Sequence, residues 1–277
     1  MKDLSVDNTL NRMLGSAKLG NLSQKKVSEL LSALSDNSVD QIDTAPSYPR
    51  SEYRVGGYIR CNPSSKLKIF TKFGREDQIL TRATLKNSLR LSLKRLRVNE
   101  IHGLSVHNRI ESEIREEVFE EVLHLKASGF ISKFGWCGDW DKIPSKTLKY
   151  YDFVMLPINP YIPNLAQNLN KIDIPVIAMN PFANFFWNYK RWGRFEKIYN
   201  ERLLKRFNPY PSKYLGQVLV TKKSIKELVE FVLRKENLTS ICFGSTSLSH
   251  VEEICRIIDQ YEKHANFKIE KPDVNSI

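Results

Sequence analysis

Cysteine is scarce in this chain, and Cys61, Cys137, Cys242 and Cys255 show none of the paired spacings of a zinc site or a disulfide framework. His102, His124, His250 and His264 have no metal-ligand spacing either, so no bound metal is expected. Long apolar runs are missing: nothing approaches the roughly 18 residues needed to cross a bilayer. The opening stretch MKDLSVDNTLNRMLG lacks the apolar core of a signal peptide, and a reducing cytoplasm is the expected compartment, with no membrane partner. Zinc-finger spacing, an RNA-recognition signature and a long basic tail are all lacking, so no specific nucleic-acid partner is expected. There is no internal repeat and no low-complexity segment. A GxGxxG does not follow the first strand-like run, which argues against an open dinucleotide-binding sheet.

What remains is an ordinary globular balance, 41% hydrophobic and 27% charged, in 277 residues, enough to bury a sizeable core in one α/β domain spanning 1–277. The net charge of +12 has two readings: an affinity for anionic partners such as phosphates and nucleotides, or simply a basic solvated surface. Oligomeric state is not legible.

Eight apolar runs of strand length lie near 12–17, 39–44, 67–72, 101–106, 131–136, 152–157, 174–179 and 239–243. Amphipathic helical patterns separate most of them. Ser23 is placed to cap the first, in which Val27, Leu30, Leu31 and Leu34 recur at helical spacing. A second carries Leu85, Leu89, Leu93 and Leu96 among lysines and arginines. A third is expected from Ile110 to His124, ending near Ala127-Ser128-Gly129. Eight such β-α units in about this length predict a closed (β/α)8 TIM barrel rather than an open sheet.

Parallel strands place their C-terminal ends on one face. There the runs QIDTAPSY, IFTK and GLSVH deliver Asp43 with Tyr48, then Lys72, then His107. A tyrosine beside a lysine, with an aspartate for the lysine and a histidine nearby, is a proton-donating set for a carbonyl. Taken singly, a strand-end lysine or aspartate is commonly a structural ion pair, and an isolated tyrosine is commonly packing.

These residues, together with Leu14-Gly15-Ser16-Ala17, Ser51-Glu52, Val55-Gly56, the stretch TLKNSLRLSLKRLRVNEIHGLSVH, SGFISKFGWCG and ICFGSTSLSHVEEI, resemble the aldo-keto reductase family from residue 12 to about 260. The resemblance implies NADPH- or NADH-dependent reduction of an aldehyde or ketone. Tyr48 would donate the proton, Lys72 would lower the tyrosine pKa, Asp43 would pair with Lys72, and His107 would orient the carbonyl. It also implies a cofactor site drawn from Ser16, Asp43, Cys137, Asn159, Gly244, Ser245, Thr246, Ser247 and Glu253.

The sequence departs from that family at the nicotinamide. Cys137-Gly138 stand where a Ser-Asn pair is common, Met155 where a glutamine is expected, and Met179 where a tyrosine stacks on the ring. Gly244 and His250 take the places nearest the usual 2′-phosphate Lys and Arg, which leaves NADPH versus NADH open. Lost buried hydrogen bonds cost on the order of 1 kcal/mol each; Asn159 or Asn180 is a candidate to restore an amide contact. Pro49 follows Tyr48 and restricts its backbone. Two alternatives therefore stand beside carbonyl reduction: non-redox acid-base chemistry of a lyase or epimerase, and a cofactor-free binding protein. The segment 182–214, dense in aromatics and arginines, reads either as a wall over the barrel mouth or as a packing helix. In the first case it points to a bulky or anionic small-molecule substrate such as a sugar or sugar phosphate.

Overall fold

The computed structural model describes residues 10–182 and 224–269 except 76, 78, 161, 163, 164 and 236. Eight parallel strands close into a barrel in sequence order, β1 pairing with β8. They are β1 Asn11–Gly15, β2 Val39–Asp43, β3 Lys68–Phe73, β4 Ile101–His107, β5 Ile131–Cys137, β6 Phe153–Pro157, β7 Val176–Met179 and β8 Leu238–Gly244. Each lies within about two residues of the run expected for it, because a strand buried on both faces is written as a continuous apolar stretch.

Seven α-helices are described: α1 Gln24–Ser32, α2 Ser51–Cys61, α3 Arg82–Leu96, α4 Glu116–Ala127, α5 Leu165–Leu169, α6 Ile225–Leu233 and α7 Leu248–Ile269. Ser23 caps α1 by accepting from the Lys26 backbone N–H at 3.3 Å, and Thr81 and Thr84 form a reciprocal capping box at the start of α3. Two expectations need correction. The helix placed at Ile110 begins only at Glu116, after a 3₁₀ turn at Glu111–Glu113. Ile114 is held extended there by a bridge to Leu80, so helical winding waits until that contact is past. Between β5 and β6 no α-helix forms. Two 3₁₀ turns, Trp140–Lys142 and Leu148–Tyr150, flank Pro144, which offers no N–H to a helical ladder. At the far end of α4, Gly129 takes the left-handed conformation (φ +72°) expected of a helix stop.

Alternation along the strands sorts their side chains into two sets. Leu14, Ile42, Ile69, Leu104, Val106, Phe134, Trp136, Val154, Val176, Ile241 and Phe243 join the helices in the main core. Met13, Phe70, Cys137, Phe153, Met155, Ile177 and Cys242 form a separate cluster filling the barrel itself. Phe70 and Phe153 meet edge to face at 5.6 Å in that cluster. They have room because Gly103 and Gly135 face them: a Cβ on either glycine would stand within 2.3 Å of a ring carbon. Polar side chains also enter this face: Gln41 and Ser240 meet lower in the barrel, and Asp43, Lys72 and His107 stand at the C-terminal rim.

Polar ties hold the helices to the barrel. Glu52 of α2 is buried, accepting from Thr71 Oγ1 of β3 at 2.8 Å and from Arg95 Nε of α3 at 2.5 Å. Arg12 of β1, also buried, pairs with Asp259 and Glu262 of α7.

Candidate active site

Lys72 ends the inward series of β3 and is 1 % exposed. A buried ammonium needs all three donors engaged. Its Nζ donates to Asp43 Oδ1 at 2.5 Å and to the Thr44 carbonyl at 2.9 Å, and stands 3.4 Å from the Tyr48 hydroxyl. It also lies 4.9 Å from the centre of the Tyr48 ring. Tyr48 reaches this position from the loop after β2, where its N–H bonds to Ala45 O and its carbonyl accepts from Ser51 at the start of α2. His107, the last residue of β4, meets Tyr48 edge to face at 6.1 Å. The four strand-end residues picked out in the sequence are thus one cluster at the C-terminal mouth.

Burial alone pulls the Lys72 pKa down, but Asp43, Tyr48 and Cys137 outweigh it and leave the ammonium more firmly protonated than an ordinary lysine. Burial pushes the Asp43 carboxyl up while Lys72 opposes the rise, and the two share an ion pair. For Tyr48, burial raises the pKa further than the Lys72 cation lowers it. The expected lowering by lysine is present in sign and overruled in sum. The tyrosine is therefore a neutral phenol with a cation at its oxygen: it holds its proton at rest, and the charge left by donating it is stabilised on the spot. Burial, then Lys72 and Arg75, drive His107 down to about 2, so the imidazole is neutral. Its Nε2 is 3.3 Å from Nη1 of Arg75, while Nδ1 is buried without a hydrogen-bond partner among the described residues.

Arg75 was not singled out in the sequence. Three residues past Lys72 and just after Gly74, it looks there like any surface cation; only the glycine, signalling a turn at the strand end, hints at the mouth.

Around the acid-base cluster, the positions linked to a cofactor divide into two groups. The first is sulfur-rich: Cys137 and Met155 are buried, and the Cys137 thiol donates to the partly buried Met179 Sδ at 3.8 Å. Burial pushes that thiol up to about 12, so it is an unreactive neutral group. Asn159 is buried and donates from Nδ2 to the Asn180 carbonyl at 3.1 Å. The second group sits where β8 runs into α7. Gly15 and Gly244 pair side by side on β1 and β8, leaving bare backbone at the rim, and a Cβ on Gly244 would meet only Gly15 O, at 3.8 Å. Ser245 Oγ closes a tight turn with the Ser247 backbone N–H and carbonyl, and Ser247 Oγ meets Ser249 Oγ at 2.8 Å. Thr246 is exposed between them, and Glu253 is half-buried in the second turn of α7. Hydroxyls and backbone N–H groups at the start of a 22-residue helix suit a phosphate. Ser16 differs from both groups: it is fully buried, and its hydroxyl is 2.6 Å from that of Ser51. The 182–214 stretch, Phe182 apart, lies outside the described residues. Among the described residues no three His, Cys, Asp or Glu side chains cluster as metal ligands, and no helix is long and apolar enough to cross a membrane.

A model of the aldo/keto reductase family matches residues 13–267. A search of curated proteins found no match. Among solved structures, a glycerol dehydrogenase from Gluconobacter oxydans is 19% identical with a TM-score of 0.70, over 98% of this chain and 96% of that one. An aldo-keto reductase from Bacillus halodurans in its holo form is 18% identical, TM-score 0.68, over 95% and 92% of the two chains. A putative aldo-keto reductase from Pseudomonas aeruginosa is 20% identical, TM-score 0.66, over 90% and 89%. At these identities the likeness to solved structures speaks for the fold.

Proposed function

The chain belongs to the aldo-keto reductase family, and on that premise we propose that it reduces an aldehyde or ketone with NADPH or NADH, Tyr48 being the proton donor. The observation that carries this reading is the Lys72 ammonium, held by Asp43 at 2.5 Å and 3.4 Å from a tyrosine hydroxyl that keeps its proton. The bare rim at Gly15 and Gly244 and the Ser245–Ser247 turn fit the phosphates of a dinucleotide; Cys137, Met155 and Met179 would line the ring, with sulfur in place of amide anchors. When bound, the nicotinamide supplies hydride to the carbonyl carbon. The Tyr48 hydroxyl gives its proton to the carbonyl oxygen as charge develops there. Lys72 stabilises the phenolate left behind, and Asp43 keeps the ammonium in place. His107, neutral, stays on the same side of the mouth to orient the carbonyl.

A second reading has its own motive: the nicotinamide region is built of Cys137, Met155 and Met179, which offer no strong hydrogen bond to a carboxamide. The same acid-base set would then catalyse enolisation, elimination or epimerisation beside a carbonyl without a cofactor.

Titration with NADPH and NADH by nicotinamide fluorescence, checked by calorimetry, separates the two. The reductase reading expects binding and carbonyl-dependent oxidation of the bound cofactor. It also expects Tyr48→Phe to keep cofactor binding while losing about 10²- to 10⁴-fold in kcat, the usual worth of a positioned acid. Binding of neither nucleotide, with no oxidation across a broad carbonyl panel, would sink it; product formed without nicotinamide would favour the second.

A further inference from the structure

Arg75 stands at the mouth with its position set at both ends of its loop. Gly74 (φ +86°) turns the chain directly after β3, and its Cα packs under the side chain of Leu80, which is fully buried. Leu80 in turn is held to the next loop, its N–H donating to Glu113 O at 2.7 Å and its carbonyl accepting from Arg115 N–H at 2.9 Å. The guanidinium is exposed, and among the described residues no carboxylate lies within ion-pair reach of it; Asp139 senses it only at longer range. Among the described residues its one hydrogen-bond contact is Nη1 to His107 Nε2 at 3.3 Å.

That contact has a chemical consequence. Arginine only donates, so Nε2 of His107 accepts and the ring proton sits on Nδ1. Nδ1 is buried with no acceptor among the described residues, which is a poor resting place for an N–H. While Arg75 is there, Nε2 has no proton to offer a carbonyl. The guanidinium and the neutral imidazole face one another near the Lys72 ammonium, and among the described residues a planar fork of donors is left without a counter-charge at the entrance to the site.

We propose that Arg75 is a specificity-determining residue: it recognises an anionic group, carboxylate or phosphate, carried close to the substrate carbonyl, and leaves His107 when it does so. This rests on the carbonyl-reduction reading. An anion that takes the guanidinium frees Nε2 to carry the ring proton and face the carbonyl oxygen, so recognition of the acid group and readiness of His107 are one event.

The test compares matched substrates: phenylglyoxylate with its methyl ester for carboxylate, and glyceraldehyde 3-phosphate with glyceraldehyde for phosphate. The wild-type protein is expected to prefer the anionic member of at least one pair in kcat/KM. Arg75→Gln should cut that preference about 10- to 100-fold, the factor for losing a charge-assisted hydrogen bond, and Arg75→Lys should retain part of it. The pair affected tells which anion is read. A preference that is absent, or unchanged by Arg75→Gln in both pairs, overturns the proposal. If no carbonyl compound is turned over, the reductase reading fails separately, and calorimetry with phenylglyoxylate and inorganic phosphate decides the anion site. Binding lost in Arg75→Gln upholds it, and equal or absent binding in both proteins overturns it. Nitrogen-15 spectra of the His107 ring give a second readout: the Nε2 signal should move on adding the bound anion to the wild type and stay put in Arg75→Gln.

Discussion

A full positive charge at Lys72, 1 % exposed, survives because Asp43, the Thr44 carbonyl and the Tyr48 oxygen surround it. Removing the cation leaves Asp43 buried and unpaired. Lys72→Met is therefore expected to cost about 3–5 kcal/mol in urea unfolding as well as the activity, whereas Tyr48→Phe, which removes only the longest of the ammonium's three contacts and keeps the ion pair, should cost about 1–2 kcal/mol. His107 makes a different demand. It is held neutral with a pKa near 2, while an unfolded histidine charges below about 6.5. Between those values the unfolded chain binds a proton that the folded chain refuses, so stability falls as pH drops, by up to about 1.4 kcal/mol per unit. In His107→Gln the urea midpoint should fall less steeply than in the wild type between pH 6 and pH 4; parallel slopes would refute the claim. Asp43, Tyr48, Lys72 and His107 were legible in sequence because each interrupts or closes an apolar run. Arg75 was not, since an exposed arginine in a loop has no pattern to break.

Among the helices, α2 is tied to the catalytic strand β3 by a buried hydrogen bond. Its Glu52 holds Thr71, next to Lys72, and Arg95 of α3. Glu52→Ala strands both partners, and we expect a loss of about 1–3 kcal/mol in denaturant midpoint, together with a fall in activity from a loosened β3. A variant as stable as the wild type would show that water replaces the carboxylate. Strands and the cap at Ser23 could be read from local pattern. The late start of α4 could not, because the Leu80–Ile114 bridge that delays it joins loops 34 residues apart in the chain. The missing helix between β5 and β6 had only Pro144 as a warning.

For the molecule as a whole, closure of β8 onto β1 is what makes a mouth rather than an edge. The long C-terminal helix secures that closure. It buries Val251, Ile254, Cys255, Ile257 and Ile258, and it supplies Asp259 and Glu262 to the buried Arg12. Truncation after Ser247 should thus give a chain without cooperative unfolding by circular dichroism, since both the apolar cover and the partners of Arg12 are gone. A truncated chain with a sharp melt would refute that dependence.

Sequence by itself determined the eight strands, their parallel order and the side chains at their ends, because strand periodicity and burial on both faces are local properties of residue type. The family followed from the same residues. Tertiary structure alone decided the electrostatics: Tyr48 ends with a raised pKa despite its lysine because burial is a property of the packed barrel, not of the motif. It alone decided that Ser16 hydrogen-bonds to Ser51, that Cys137 turns to Met179, and that Arg75 reaches His107. Each of these depends on which strand ends and loops close around the same mouth, and no local pattern carries that information.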